Sequence, residues 1–314
     1  MSTMLEDRVT QNQSSHGTRL QAETTAARLH IRWPGTRKSL SRDQKLQAAG
    51  AFDADSRTLS AAKRLFDTSH PSFRAVSAIK TKASALWKGM TLPYIEPGVR
   101  LLRRGDVSEF DDRMIVIQVE LSEAVDELDL SFAELVDLAR NQLGHLFDPT
   151  DYPDSVSDLF GITWDFPSVT PPAYLRTVNP ELYEQECQRV KAKFAEAVEL
   201  AEQTFAEELS QLVGHLAERL SGSVDGKPKV FRDSAIANLN EFFGRFQHLN
   251  IGSNDDLNQL VENARQVITG VDPQDLRDRS SLRERVARSL TEVETSLDEL
   301  MTDRPRRNII RGPR

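Results

Sequence analysis

Cysteine is nearly absent from this chain. One thiol, Cys187, in 314 residues excludes an intramolecular disulfide framework and a cysteine zinc cluster. Long apolar runs are missing as well: no stretch approaches the roughly 18–20 apolar residues that a membrane-spanning helix needs. Aromatic residues make up only 7% and the mean hydropathy is −0.47, so the core has to be built mainly from Leu, Val and Ala on amphipathic helices. Cations do not predominate: 40 Lys and Arg against 48 Asp and Glu leave a net charge of −8, which argues against a generally basic nucleic-acid coat. The opening Met1–Gln21 is polar and lacks the apolar segment of a secretory signal. Residues 1–25 are therefore expected to form a disordered tail and the protein to be cytoplasmic.

The familiar catalytic signatures are missing too. The string nearest to a phosphate loop, Gly222 to Pro228, is one residue short and has Pro228 where the hydroxyl belongs. There is no Gly-x-Gly-x-x-Gly fingerprint for a dinucleotide. The six histidines (His16, His30, His70, His145, His215 and His248) are scattered, none at helical ligand spacing. Asp148, Asp151, Asp154 and Asp158 line an acidic loop but lack the glycine and terminal glutamate of a calcium-binding hand. Capping of helix starts explains them better than a cation does. Cys187 has no neighbouring histidine in sequence and reads as a small packed residue. The expectation is a chain with no catalytic seat, no metal, no cofactor and no small-molecule substrate.

What is present is helical periodicity. Arg28–Trp33 alternates and ends at Pro34-Gly35, a short strand and turn. Residues 43–66 read as Ala-rich helix with a break near 51–56. Pro71 opens a helix whose Phe73, Val76, Ile79, Ala83, Leu86 and Met90 share one face, and Thr91–Gly98 closes it. From Asp106, read as an N-cap with Glu109 three positions on, Phe110, Met114, Ile117, Leu121, Val125, Leu128, Phe132, Leu135, Ala139 and Leu143 recur without a miss. A helix from Asp106 to Phe147 would be roughly 60 Å long. Residues 148–178, rich in proline and anchored by Trp164, Phe166 and Tyr174, read as an ordered irregular connector.

Asn179 and Pro180 then start a second long helix that stops at Ser221-Gly222. Three more are expected, over 231–249, from Asn254 to Gly270, and from Asp272 onward. The fold expected is mainly all-α: an elongated antiparallel bundle over 26–303 with two long coiled-coil-like helices and at most a small β element near 28–33.

Charge is unevenly distributed. His70–Arg104 holds seven cations (Arg74, Lys80, Lys82, Lys88, Arg100, Arg103 and Arg104) and one acid, Glu96; Gly105–Asp137 holds eleven acids and one base, Arg113. A basic helix over 74–104 is either a phosphate-contacting face or the partner of the acidic helix beside it. Adjacency in sequence favours mutual neutralisation. The tail from residue 304 to 314 carries Arg304, Arg306, Arg307, Arg311 and Arg314 with two prolines and no acid, a candidate site for nucleic acid or another anionic partner.

Seven strings carry a family resemblance: LHIRWPGTRKSL (29–40), LFDTSHPSFRAV (65–76), LWKGMTLPYIEPGVRLLR (86–103), DYPDSVSDLFGITWDFPSV (151–169), NPELYEQECQRV (179–190), GKPKVFRDSAIANLNEFF (226–243) and DRPRRNII (303–310). Together they resemble a bacterial family of hypothetical helical proteins of unknown function. The first half is distantly similar to an uncharacterised phage and mobile-element family sometimes encoded near MoxR-type ATPases. The resemblance implies a stand-alone fold and brings no catalytic residues. The function expected is a non-enzymatic helical scaffold or adaptor that self-associates or docks a protein partner. The alternative is a nucleic-acid-associated protein using the basic helix and the Arg-rich tail.

Overall fold

The computed structural model of the chain describes residues 15–221, 223–224, 227–228 and 232–302. The Arg-rich stretch 304–314 lies outside them, as do residues 1–14. Residues 15–23, expected in a tail without structure, form helix α1. Its Gly17 is needed for close approach, because a Cβ there would meet the backbone nitrogen of Ala195 at 3.0 Å. Leu20 of α1 is buried.

The all-α expectation is corrected by a four-stranded sheet of order β4-β5-β1-β6, formed by Thr24–Arg32 (β1), Thr91–Pro93 (β4), Val99–Arg103 (β5) and Gly161–Asp165 (β6). Arg37–Ser39 (β2) and Ala62–Arg64 (β3) make a two-stranded ribbon, and Ser223–Val224 (β7) with Lys227–Pro228 (β8) another. The fold is mixed α/β with long helices. Leu101 and Leu102 of β5 are consecutive and both buried, so the period-2 signal of a half-exposed strand is absent. β6 sits inside the proline-rich connector; β1 is the strand expected near 28–33, extended back to Thr24 through small residues, Ala26 and Ala27, that show no alternation.

The chain divides into two compact units in place of the single bundle expected. One comprises the described residues through Ala26, Met90–Arg104 and those from Pro167 onward; the other is Ala27–Gly89 with Gly105–Phe166.

After the short helix α6, Leu175–Val178, the first unit is organised by helix α7, Pro180–Ser221, 42 residues long and so about 63 Å. Asn179 caps it, its side-chain oxygen accepting the Leu182 N–H at 3.0 Å. The stripe from Val190 and Phe194 through Ala197, Ala201, Leu209, Val213 and Leu216 to Leu220 is buried. Against α7 lie helix α8 (Ser234–Leu249) and helix α11 (Ser280–Thr302). Helix α9, Asp255–Ile268, packs on the same group and is capped by Asn254. The helix expected from Asp272 is divided into α10 (Pro273–Asp278) and α11 at Arg279. The β4–β5 hairpin adds Leu92, Val99 and Leu101 to this core.

Arg283 of α11 is buried, donating from Nε to the Leu220 carbonyl at 2.7 Å and from a terminal nitrogen to the Arg219 carbonyl at 2.8 Å. Carbonyls in the last turn of a helix have no intrahelical partner, and a cation there also meets the negative end of the helix dipole. Arg283→Met keeps the aliphatic stem and removes the donors. Urea denaturation is expected to show a loss of about 2 kcal/mol, with Arg283→Lys recovering less than half because a strongly hydrated ammonium lacks the preorganised planar fork that spans the two carbonyls. An unchanged midpoint for Arg283→Met would mean the carbonyls do not depend on it.

The second unit pairs helix α3, Pro71–Met90, antiparallel with helix α4, Val107–Leu130: the Ser72 and Ser131 hydroxyls lie 3.3 Å apart, and Lys82 meets Glu120. The long helix expected over 106–147 is interrupted. Ser131 ends α4 and helix α5 runs Phe132–Leu143, closing at Gly144 with φ 51°. The Ser131 hydroxyl donates back to the Glu127 carbonyl at 3.2 Å, a bond that bends helices. The buried stripe runs on across the bend, from Phe110 and Met114 to Leu135 and Ala139, so periodicity alone does not reveal it. Asp106 is not the capping box expected: it has φ −98° and ψ 0° at the end of a 3-10 turn, and its side chain makes no capping hydrogen bond.

β6 pairs antiparallel with β1, from Arg28 opposite Asp165 to Arg32 opposite Gly161. Trp164 donates to Asp111 at 2.8 Å, and Phe160 meets Trp33 edge-on at 4.8 Å. Of the three aromatics expected as anchors, Trp164 is held in this way and Phe166 meets Phe110 at 6.3 Å, whereas Tyr174 is 65% exposed and anchors nothing of the kind.

Candidate interaction surfaces

The basic helix expected over 74–104 ends at Met90, where Pro93 and the β4–β5 hairpin take over. Its seven cations fall into two groups. On α3, Lys82 donates to both Glu120 oxygens at 2.6 Å, and Lys80 stands 5.0 Å from the centre of the Trp33 ring. Arg74 and Lys88 are exposed. In the first unit, Arg100 donates to the Thr91 hydroxyl at 2.7 Å and carbonyl at 2.8 Å. Burial, helped by Arg245 and opposed by Glu208, lowers its pKa to about 10. Arg103 reaches the Asn250 carbonyl and Arg104 the Thr24 carbonyl. Most of the block is thus held in contacts within the fold. The cations expected at Arg304, Arg306, Arg307, Arg311 and Arg314 lie outside the described residues.

The acidic loop is equally occupied. Asp148 accepts the Thr150 amide and hydroxyl, at 3.0 and 2.7 Å, capping a 3-10 turn over Pro149–Asp151. Asp151 has no exposed side-chain surface. One of its oxygens is 2.6 Å from Lys63 Nζ and the other is bonded by Lys38. Lys63 is itself 4% exposed in its side chain and also donates to the Leu146 carbonyl at 2.6 Å. Burial pushes the Asp151 carboxyl up, but the two lysines outweigh it and hold it below its ordinary range. Both lysines come from the β2–β3 ribbon, where they stand directly opposite each other. Asp154 and Asp158 are exposed. Among the described residues no group of three or more His, Cys, Asp or Glu side chains is placed to hold a metal ion. Cys187 is half-buried beside Tyr183, whose hydroxyl pKa it raises.

No protein family, curated protein or solved structure matches the chain. Among the described residues no helix is long and apolar enough to cross a membrane.

One surface escaped the periodicity. On α4, Ile115, Val116 and Val119 are 46%, 55% and 53% exposed, on the side away from the buried stripe of Met114, Ile117 and Leu121. Positions i, i+1 and i+4 place the three side chains together on one side of the helix, with exposed Asp112 and Glu123 one turn either way. A search for a recurring core stripe passes over three residues that occur once, which is why they do not stand out in the sequence.

Proposed function

We propose that the chain is a cytoplasmic, non-enzymatic helical scaffold or adaptor acting through protein–protein contacts or self-association. The exposed Ile115–Val116–Val119 triplet carries this reading. β-Branched residues lower helix stability relative to alanine by several tenths of a kcal/mol each, and leaving them in water forgoes the free energy of burial. An exposed helix face therefore has no folding reason to hold three of them side by side. A partner that covers the patch supplies that reason, and a charged rim around an apolar centre is the usual composition of such a contact.

The test is the triple variant Ile115→Ala, Val116→Ala, Val119→Ala. Its thermal midpoint is expected to equal or exceed the parent's, because alanine is the better helix former. Sedimentation velocity of the parent over a concentration series is expected to show a defined oligomer, or nuclease-treated pull-down from the native host a stoichiometric protein partner. Either association weakens at least tenfold in the variant. A parent that stays monomeric and recovers no stoichiometric partner, or a variant that associates as tightly, would overturn the reading.

A further inference from the structure

The β2–β3 ribbon has two chemically different faces. Its register sets Arg37 opposite Arg64, Lys38 opposite Lys63 and Ser39 opposite Ala62. Side chains alternate along a strand, and the Lys38–Lys63 pair is the one turned onto Asp151. Arg37, Arg64, Ser39 and Ala62 therefore occupy the other face, and all four are exposed. The hydrogen bonds from Leu65 N–H to the Thr36 carbonyl at 2.9 Å and from Leu40 N–H to the Ala61 carbonyl at 3.1 Å fix which pairs exchange ladder bonds. By alternation Arg37 and Arg64 form a non-hydrogen-bonded pair, the type whose Cα atoms come within about 4.5 Å and whose side chains are closest.

Like charges directly opposite each other destabilise a ribbon. Here neither guanidinium has a carboxylate in salt-bridge reach among the described residues, and Asp67, whose carboxyl feels the charge of Arg64, is bound by Ser69. Three residues beyond Ser39, Arg42 is exposed in the first turn of α2 (Arg42–Gly50), where the helix dipole disfavours a cation. A two-stranded ribbon of three residues per strand would not hold two facing arginines in place unaided. The lysine–aspartate clasp underneath does so, and it leaves the arginine pair presented outward.

We infer that this face binds the phosphodiester backbone of nucleic acid, Arg37 and Arg64 flanking one phosphate with the Ser39 hydroxyl beside them. Guanidinium forks match phosphate oxygens bidentately, and an anion between the two arginines relieves their repulsion. The face carries no aromatic side chain to stack on a base, so the contact is to the backbone. It is independent of base sequence, salt-dependent, and suited to a duplex. The site differs from the expected one on α3, whose Lys82 is neutralised by Glu120.

The experiment is fluorescence anisotropy of the full chain with a labelled 20-base-pair duplex and a single strand of equal length, between 50 and 200 mM salt. Arg37→Ala with Arg64→Ala, both exposed, is expected to retain the parent's circular dichroism and to lose at least tenfold in duplex affinity. The slope of log affinity against log salt should flatten by about 1, the one phosphate the pair neutralises. Arg37→Lys with Arg64→Lys should recover part of the affinity. Arg74→Ala with Lys88→Ala on α3, a control for diffuse charge, should change it less than twofold. The triple α4 variant should bind duplex as the parent does, which separates this inference from the scaffold reading. The inference is overturned if the parent does not bind duplex at 50 mM salt or if the double arginine-to-alanine variant binds unchanged. It is also overturned if the pair matters only for vesicles containing phosphatidylserine.

Discussion

Phe242→Ala is expected to destabilise the first unit by about 4 kcal/mol, the usual cost of emptying a phenylalanine site in a close-packed core. Phe242 is 1% exposed. Its ring stacks on Phe246 at 6.0 Å and meets Phe243 edge-on at 5.9 Å and Phe205 of α7 at 6.1 Å. The Arg245 guanidinium stands 5.8 Å from the ring centre. Removing one ring from such a cluster loses transfer free energy, leaves a cavity, and breaks aromatic contacts worth up to about 1.5 kcal/mol each. Phe52→Ala is the matched control. The same side chain is 80% exposed there, and a change within about 0.5 kcal/mol is expected. Guanidinium denaturation of both variants checks the pair. Equal shifts would show that burial at Phe242 does not govern stability.

The contrast also shows what can be read from one sequence. The start of α7 at Asn179-Pro180 and its stop at Ser221, and the extent of α3 from Pro71 to Met90, are legible because caps and prolines act locally. So is the buried stripe from Phe110 to Ala139, because a helix face repeats. The sheet is not legible. Apart from β1, which the alternation over 28–33 marks in part, its strands are short; they come from separated parts of the chain, β5 is buried on both sides, and β6 is flanked by prolines. The partition into two units depends on such long-range pairing, so the two long helices expected within one bundle, from Asp106 and from Asn179, fall in different units. Charge patterning was legible only in part. The neutralisation of α3 by α4 follows from adjacency and is seen at Lys82 and Glu120. The Lys38–Asp151 bond joins residues 113 apart, and nothing in spacing marks it. Nor does spacing mark Arg37 and Arg64, whose juxtaposition exists only once the ribbon's register is set.

That clasp carries the second large effect. Asp151→Asn is expected to cost the second unit about 3 kcal/mol at neutral pH, because it leaves Lys63 buried without its counter-charge. Removing both partners should cost less than removing one: Asp151→Asn combined with Lys63→Met is expected to be more stable than Asp151→Asn alone, since no orphaned charge remains. The pH dependence has a definite sign. The folded-state carboxyl lies below its ordinary value of 3.8, so the unfolded chain takes up the proton first as pH falls. The clasp's contribution is fully present above that value and is lost as pH drops through the lower folded-state value. The gap in unfolding free energy between parent and Asp151→Asn should therefore hold steady from pH 7 to about 5 and narrow below pH 4. Urea denaturation at pH 7, 5 and 3 measures it. A gap that persists undiminished at pH 3 would mean that Asp151 stabilises the ribbon through shape and not through charge. In that case the arginine pair on the opposite face would be held by packing alone.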